Sequence, residues 1–179
     1  MSQVIDKLVW IDLETTGLSI KKDKIIEIAV LITDTQLNLL DEKGYVAFVN
    51  ITDKDIALMD DIVKEMHTKN GVIDMCKKSS FTIEDIDKGA VEYISKFVQK
   101  NEAPLCGNNI AFDRSFIEYN MPLLVDYLHY RNIDVTTIKQ LSQIWRNDVC
   151  KKTDSTHEAM DDIKESIEEL RHYKEKFFD

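Results

Sequence analysis

The chain has 179 residues, 44% of them hydrophobic, which favours one globular domain with a single core. Its 23 Lys and Arg against 33 Asp and Glu give a formal net charge of −10. A protein that grips long nucleic acid normally carries a basic face that displaces counterions from the phosphates. Either nucleic acid is not the substrate, or the substrate is short and metal ions supply the positive charge.

No segment favours secretion or membrane insertion. The N-terminus lacks a basic region followed by a long apolar run, and no apolar stretch approaches the roughly 20 residues that span a bilayer. The three cysteines, Cys76, Cys106 and Cys150, contain no C-x-x-C pair, which argues against a disulfide framework and against a zinc ribbon. We therefore expect a cytoplasmic protein with no membrane span.

The first part of the chain predicts three β-strands. Residues 7–13 (KLVWIDL) form a near-continuous apolar run, which is typical of a strand covered on both faces. Residues 25–33 and 45–49 predict two more strands, and the short connections suit antiparallel neighbours. A further short strand is predicted at residues 104–106.

Helices predominate in the rest of the sequence. The first is predicted to end before Gly71, and the last to open with a Ser155-x-x-Glu158 capping box and to run to Phe177. Strands followed by helices indicate one α/β or α+β domain over residues 1–179. The other predicted helices cover residues 53–69, 82–99, 114–120, 123–128 and 137–145.

Two acidic residues, Asp12 and Glu14, stand at the end of the first predicted strand. Side chains two positions apart on a strand point to the same face. Neighbouring carboxylates repel each other unless a cation lies between them. The apolar Trp10 and Ile11 that precede them argue against a solvated turn, so the pair predicts a cation site.

Two further signals are ambiguous when each is taken alone. Asp113 could be an ordinary helix N-cap. In the spacing His157-x-x-x-x-Asp162, a helical wheel puts Asp162 at the edge of the predicted buried face and Asp161 on the far side. Asp162 is therefore expected to point inward, whereas His157 is not on its face and would have to be aimed by a loop.

The ordered set of D-x-E, a mid-chain Asp and H-x-x-x-x-D resembles the DEDDh family of 3′→5′ exonucleases. Within that family the chain resembles the oligoribonucleases. The resemblance implies an RNase H-like exonuclease fold, α/β in class, with a mixed central sheet flanked by helices. The implied activity is hydrolysis of very short RNA, dinucleotides above all, to 5′-mononucleotides. The similar segments are residues 8–14 (LVWIDLE), 16–18 (TGL), 23–29 (DKIIEIA), 67–71 (HTKNG), 129–135 (HYRNIDV) and 157–163 (HEAMDDI).

The resemblance also implies a two-metal mechanism. Asp12, Glu14, Asp113 and Asp162 would hold two divalent ions, Mg²⁺ or Mn²⁺, and His157 would be the general base. These residue types suit the chemistry, because hard cations prefer carboxylate oxygens. A neutral His can accept a proton from water near pH 7.

Substrate-binding roles are implied for five further residues. Leu18 would separate the two bases, and His67 would lie near the 5′ nucleotide. Arg131 and Thr136 would bind the terminal phosphate. Tyr130 would reach into the site of the partner subunit, so that a homodimer would be the working unit.

Four positions depart from the family pattern: Thr15 replaces the usual Met, Ile62 a frequent Trp, Asn109 a Ser and Gln140 a Thr. The last three bear on substrate affinity, not on the reaction. Glu27, inside the second predicted strand, is expected to be structural.

Three other functions fit the sequence less well. A DNA-trimming exonuclease is disfavoured by the length, the HYR segment and the acidic balance. A catalytically dead binding module would have lost a ligand, yet all five catalytic residue types are present. A structural metal protein would need a dedicated Cys and His site, which the sequence lacks.

Overall fold

The computed structural model describes residues 5–150 and 158–178, and its centre is a five-stranded mixed β-sheet. The strands are β1 (Lys7–Thr15), β2 (Ile25–Asp34), β3 (Tyr45–Phe48), β4 (Leu105–Gly107) and β5 (Asn132–Asp134). Their order across the sheet is β3-β2-β1-β4-β5. The first three are antiparallel, as predicted, whereas β4 runs parallel to β1 and β5 parallel to β4. The predicted α/β class is confirmed.

Helices cover both faces of this sheet. In the described residues no helix is long and apolar enough to cross a membrane. The helices are α1 (Asp53–Leu58), α2 (Asp61–Lys69), α3 (Val72–Lys78), α4 (Ile83–Ile94), α5 (Ile110–Asn120), α6 (Pro122–Tyr127), α7 (Val135–Arg146) and α8 (Ala159–Phe177).

Strand β1 is buried on both faces because its alternate side chains enter two different apolar clusters. Odd-numbered residues, such as Val9 and Ile11, pack in a cluster with α4, α5 and α6. Even-numbered residues, such as Trp10, pack in a second cluster with α7 and α8. Since successive side chains alternate, Asp12 and Glu14 continue the face that α8 covers.

The predicted helix over residues 53–69 is wrong, because the chain forms two helices there. Met59 adopts an extended conformation (ψ 145°), which ends α1. The Asp60 carboxylate then accepts a hydrogen bond from the Val63 N–H at 2.9 Å and begins α2. Gly71 follows the end of α2, as predicted, with φ +82°.

The helix predicted over residues 82–99 is shorter, ending at Ile94. Beyond it, the Phe97 N–H bonds to the Ile94 carbonyl, so the chain tightens into an i→i+3 turn. Two elements were not predicted: α3 and β5. Both are short, and β5 depends on pairing with β4, which no local pattern reveals.

The predicted opening of the last helix is also wrong. Glu158 is the N-cap of α8, with no hydrogen bond from its side chain to the helix. A capping box that begins the helix at Ser155 is therefore excluded, and Ser155 itself lies outside the described residues, as does His157.

Candidate active site

Three acidic side chains meet at the end of β1. One carboxylate oxygen each from Asp12, Glu14 and Asp162 lies within 4.8 Å of the others. Asp12 and Glu14 come from the face of β1 that α8 covers, and Asp162 comes from the first turn of α8. The two acids of the D-x-E pattern and Asp162 of the H-x-x-x-x-D pattern are therefore close together, whereas His157 lies outside the described residues.

Packing of α8 explains why Asp162 faces the cluster. Ala159, Ile163 and Ile167 pack against the even-numbered face of β1, which turns Asp162 toward its acidic end. Asp161 instead forms an ion pair with Lys164 at 3.6 Å, and its side chain is 43% exposed. The helical-wheel prediction that Asp162 points inward is confirmed.

Asp113 lies beside this group and is fixed to β1. The Leu13 N–H, between the other two acids in sequence, donates to Asp113 Oδ1 at 3.1 Å. The alternative that Asp113 is a helix N-cap is wrong, because α5 begins at Ile110 and its N-cap is Asn109. Asp113 is buried in the first turn of α5, and its negative charge helps to raise the pKa of Asp12.

Burial and mutual repulsion make these acids costly to ionise. Burial, with repulsion from Asp113 and Glu14, raises the pKa of Asp12 well above its usual value. Burial, followed by the charges of Glu27, Asp162 and Asp113, raises the pKa of Glu14 to about 8. Burial raises the pKa of Asp113 to about 7. A divalent cation would relieve this repulsion, and the all-oxygen donor set suits hard ions such as Mg²⁺.

A fifth carboxylate, Glu27, lies directly across the sheet from Glu14. It is only 3% exposed, and burial raises its pKa to about 7. Its Oε2 atom is buried and has no hydrogen-bond partner among the described residues. The sequence prediction treated Glu27 as structural and missed this proximity, because only the register of β1 and β2 reveals it.

His67 is completely buried next to Glu14. Its Nε2–H donates to the Thr15 carbonyl oxygen at 2.9 Å, since a carbonyl can only accept. Its Nδ1 lies 3.8 Å from Glu14 Oε2, and burial lowers the pKa of the ring. Burial thus favours the neutral form of the ring, which is bonded to the end of β1; its role near the 5′ nucleotide stays a prediction.

Leu18 lies on a hydrogen-bonded loop that leaves its side chain exposed to solvent. Its side chain is 82% exposed. The Asp23 carboxylate accepts hydrogen bonds from Thr16 Oγ1 at 3.1 Å and from the Ser19 N–H at 2.8 Å. A Cβ atom at Gly17 would lie 2.7 Å from this carboxylate, so a larger residue there would displace the carboxylate from these hydrogen bonds. The loop thus exposes the apolar side chain of Leu18, and the hydrogen bonds to Asp23 hold the loop in place.

The HYR segment forms an exposed stack after α6. The rings of His129 and Tyr130 have centroids 4.5 Å apart, and the Arg131 guanidinium lies 5.4 Å from the Tyr130 ring centroid. Tyr130 is 74% exposed. Thr136 lies in the first turn of α7, and its N–H donates to Asp134 Oδ1 at 2.9 Å.

The four departures from the family pattern lie in two environments. Ile62, Asn109 and Gln140 are exposed. Thr15 is buried, and its hydroxyl donates to the Gly17 carbonyl at 2.7 Å, which stabilises the loop that follows β1.

Residues 9–170 match a family model described as "Exonuclease". The oligoribonuclease of Photorhabdus laumondii is 42% identical over 179 residues, covering 99% of this chain and 98% of that protein. The oligoribonuclease of Shewanella loihica is 44% identical over 173 residues, covering 96% of this chain and 95% of that protein.

Two solved structures share the fold. Exonuclease I of Methylocaldum szegediense superposes with a TM-score of 0.73 at 17% identity, covering 96% of this chain and 41% of that one. E. coli Exonuclease I, in complex with a 5cy-dT13 oligonucleotide, superposes with a TM-score of 0.72 at 16% identity, covering 97% of this chain and 42% of that one. This chain thus spans about two-fifths of each. The expected RNase H-like fold is confirmed, and the chain belongs to the oligoribonuclease family of exonucleases.

Proposed function

We propose that this protein is a metal-dependent 3′→5′ exoribonuclease that hydrolyses very short RNA, dinucleotides above all, to 5′-mononucleotides. The observation that carries the proposal is the buried group of Asp12, Glu14 and Asp162, with Asp113 fixed beside it. Relatives above 40% identity over nearly the whole chain are oligoribonucleases.

The four carboxylates would hold two divalent ions, Mg²⁺ or Mn²⁺. When bound, such ions lower the pKa of a coordinated water and offset the charge that develops on the scissile phosphate. The protein contributes a rigid donor set on three separate elements. Asp12 and Glu14 are held by the sheet, Asp162 by the packing of α8, and Asp113 by its bond to β1.

Replacing Asp162 by Asn should remove a ligand while keeping the side-chain shape. We expect kcat/KM in saturating Mg²⁺ to fall by about three orders of magnitude, because metal ions supply several kcal/mol of charge stabilisation. The rise in Tm on adding Mg²⁺ should also shrink. Asp161→Asn is the matched control and should change neither quantity, since Asp161 is paired with Lys164. Near-normal activity in Asp162→Asn would remove this residue from the ligand set.

We further propose that His157 is the general base that takes the proton from the attacking water. His157→Ala should lower kcat by roughly 10²–10⁴-fold, the range for positioned proton acceptors. The Mg²⁺-induced rise in Tm should persist, because the four carboxylates remain. Measuring kcat across the pH range checks this, and a loss below about tenfold would point to another base.

Selectivity for short RNA has two supports in this chain. The net charge of −10 leaves few cations to follow a long phosphate backbone. Leu18, exposed on its rigid loop, would separate two bases, with Arg131 and Thr136 at the terminal phosphate. A site closed around that phosphate excludes longer chains, whose backbone would need the same space.

This model predicts the dependence of activity on RNA length. With 5′-phosphorylated RNA, kcat/KM should fall steadily as the chain lengthens from two nucleotides. The preference should largely persist at low salt, because it comes from exclusion and not from counterion release. DNA of matched lengths, assayed in parallel, reports the sugar preference. A flat or rising profile with RNA length would contradict the proposal and favour a general exonuclease.

We propose that the working unit is a homodimer in which Tyr130 reaches the partner's site. In support, Tyr130 is exposed and stiffened by stacking between His129 and Arg131. Aromatic side chains of this kind lose little conformational entropy when an interface covers them.

Mixing inactive variants tests this arrangement. Equal amounts of Tyr130→Ala and Asp12→Ala chains, after subunit exchange, should recover up to about a quarter of wild-type activity if interfaces are two-fold symmetric. The reason is that half of the dimers are mixed, and each has one intact acidic group facing a Tyr130 from its partner. A mixture of Tyr130→Ala with the double variant should recover nothing. Failure of the first mixture despite demonstrated exchange would show that Tyr130 does not act in trans.

The three cysteines are free thiols, two of them buried. This suits a reducing compartment, and we propose that the enzyme acts in the cytoplasm. Cell fractionation that recovered it in an exported fraction would contradict this.

A further inference from the structure

Arg114 connects helix α5 to the HYR segment, residues 129–131. Its Nη2 donates to the main-chain oxygen of His129 at 2.6 Å, and its side chain is only 10% exposed. The guanidinium has a second, looser contact, because its Nε lies 3.8 Å from Glu118 Oε1, beyond hydrogen-bond distance. A charged donor makes a stronger hydrogen bond than a neutral one. The bond to His129 is therefore the stronger of these two contacts.

The HYR segment has little packing to hold it in one conformation. A cavity of about 480 Å³ adjoins the segment, and its lining includes His129, Tyr130 and Arg114. The Tyr130 side chain is 74% exposed. Side chains that border open space lack the van der Waals contacts that fix residues in a packed core. The conformation of the segment therefore depends on its polar bonds.

Polar bonds fix both ends of the HYR segment. At its end, the Leu105 N–H donates to the main-chain oxygen of Arg131 at 3.2 Å, and the Arg131 N–H donates to His129 Nδ1 at 3.1 Å. At its start, the His129 N–H donates to the Ala103 carbonyl at 3.4 Å, which is long for a hydrogen bond. The bond from Arg114 is therefore the shorter of the two that hold the main chain of His129.

The same turn of α5 also serves the acidic group. Asp113 and Arg114 are consecutive, and successive side chains on an α-helix point about 100° apart. Asp113 Oδ1 therefore accepts from the Leu13 N–H of β1 at 3.1 Å, whereas Arg114 reaches the HYR segment in a different direction. Helix α5 thus joins the acidic group of one chain to the segment that we propose to serve the partner's site.

We propose that Arg114 is a positioning residue that holds the HYR segment so that Tyr130 enters the partner's site. This inference rests on the proposed homodimer, because it takes Tyr130 as acting in trans. It makes a distinction that the sequence does not suggest. Although Arg114 directly follows Asp113, its side chain acts on the site of the partner and not on the acidic group of its own chain.

Arg114→Met tests the first part of this inference, because it keeps the apolar stem and removes the donors. In the variant homodimer, kcat/KM for a 5′-phosphorylated diribonucleotide should fall roughly 10- to 100-fold, the cost of a misplacement of about 1 Å. The rise in Tm on adding Mg²⁺ should persist, because all four carboxylates remain in place.

Two mixtures show on which site Arg114 acts. Equal amounts of Arg114→Met and Asp12→Ala chains, after subunit exchange, should recover up to about a quarter of wild-type activity if interfaces are two-fold symmetric. In each mixed dimer, the acidic group of the Arg114→Met chain then faces an intact HYR segment from its partner. A mixture of Arg114→Met with Tyr130→Ala should show only the average of the two parent activities, because every site receives a defective HYR segment.

A matched control separates positioning from general loss of stability. Arg171 Nη2 donates to the Leu37 main-chain oxygen at 2.8 Å, a comparable bond far from the HYR segment in sequence. Arg171→Met should lower Tm without changing kcat/KM. Arg114→Gln is a second variant for the case that Arg114→Met does not fold. Its amide ends near the position of the arginine Nε, too short to donate to His129, and it should behave alike in both mixtures.

The outcomes distinguish the inference from the function it rests on. Recovery with Asp12→Ala and none with Tyr130→Ala supports the inference. Any other pattern in the two mixtures, wild-type activity of both Arg114 variants, or failure of both to fold would overturn the positioning role alone. The reference mixture of Tyr130→Ala with Asp12→Ala tests the homodimer itself. If that mixture recovers nothing despite demonstrated exchange, the proposed action of Tyr130 in trans is overturned, and the inference with it.

Discussion

Repulsion among buried carboxylates at one end of β1 is the constraint on which the site depends. Asp12, Glu14, Glu27, Asp113 and Asp162 are brought together where burial disfavours their charge, and the pKa values of the first four are raised. Folding must hold these groups together against their repulsion. A divalent cation between the carboxylates would replace this repulsion by attraction, so the arrangement that is costly without a cation favours binding one.

Apolar packing supplies the force that holds the acids in place. Strand β1 is covered by two clusters, one on each face, and each cluster brings a helix with one acid to its end. Helix α8 brings Asp162, and α5 brings Asp113, which is then fixed by the Leu13 N–H. The loops that we propose to contact the substrate are held differently, by polar networks after β1 and β4, where Asp23 and Asn108 each bridge several groups. The acidic group and these loops therefore rest on separate physical supports.

Local patterns in the sequence were sufficient where one interaction dominates. The apolar run of β1 and the inward position of Asp162 follow from strand and helix periodicity, and the antiparallel order of the first three strands follows from their short connections. Local patterns predicted the wrong helix boundaries where capping residues determine them. The Asp60 cap divided a predicted helix into two, and α8 begins at Ala159 without the predicted capping box. The short β5 depends on a neighbouring strand that no local window contains.

For the site, the sequence by itself determined which residue types are present and in what order, and so the resemblance, the family and the expected acids. Only the tertiary structure decided which side chains meet. Glu27 lies beside the acidic group because of the strand register, His67 is buried next to Glu14, and Asn108 bridges α7 and α8. The physical reason is that these contacts join residues 13 to 61 positions apart, and packing of the whole chain fixes such pairs, whereas local preferences act only within a few residues.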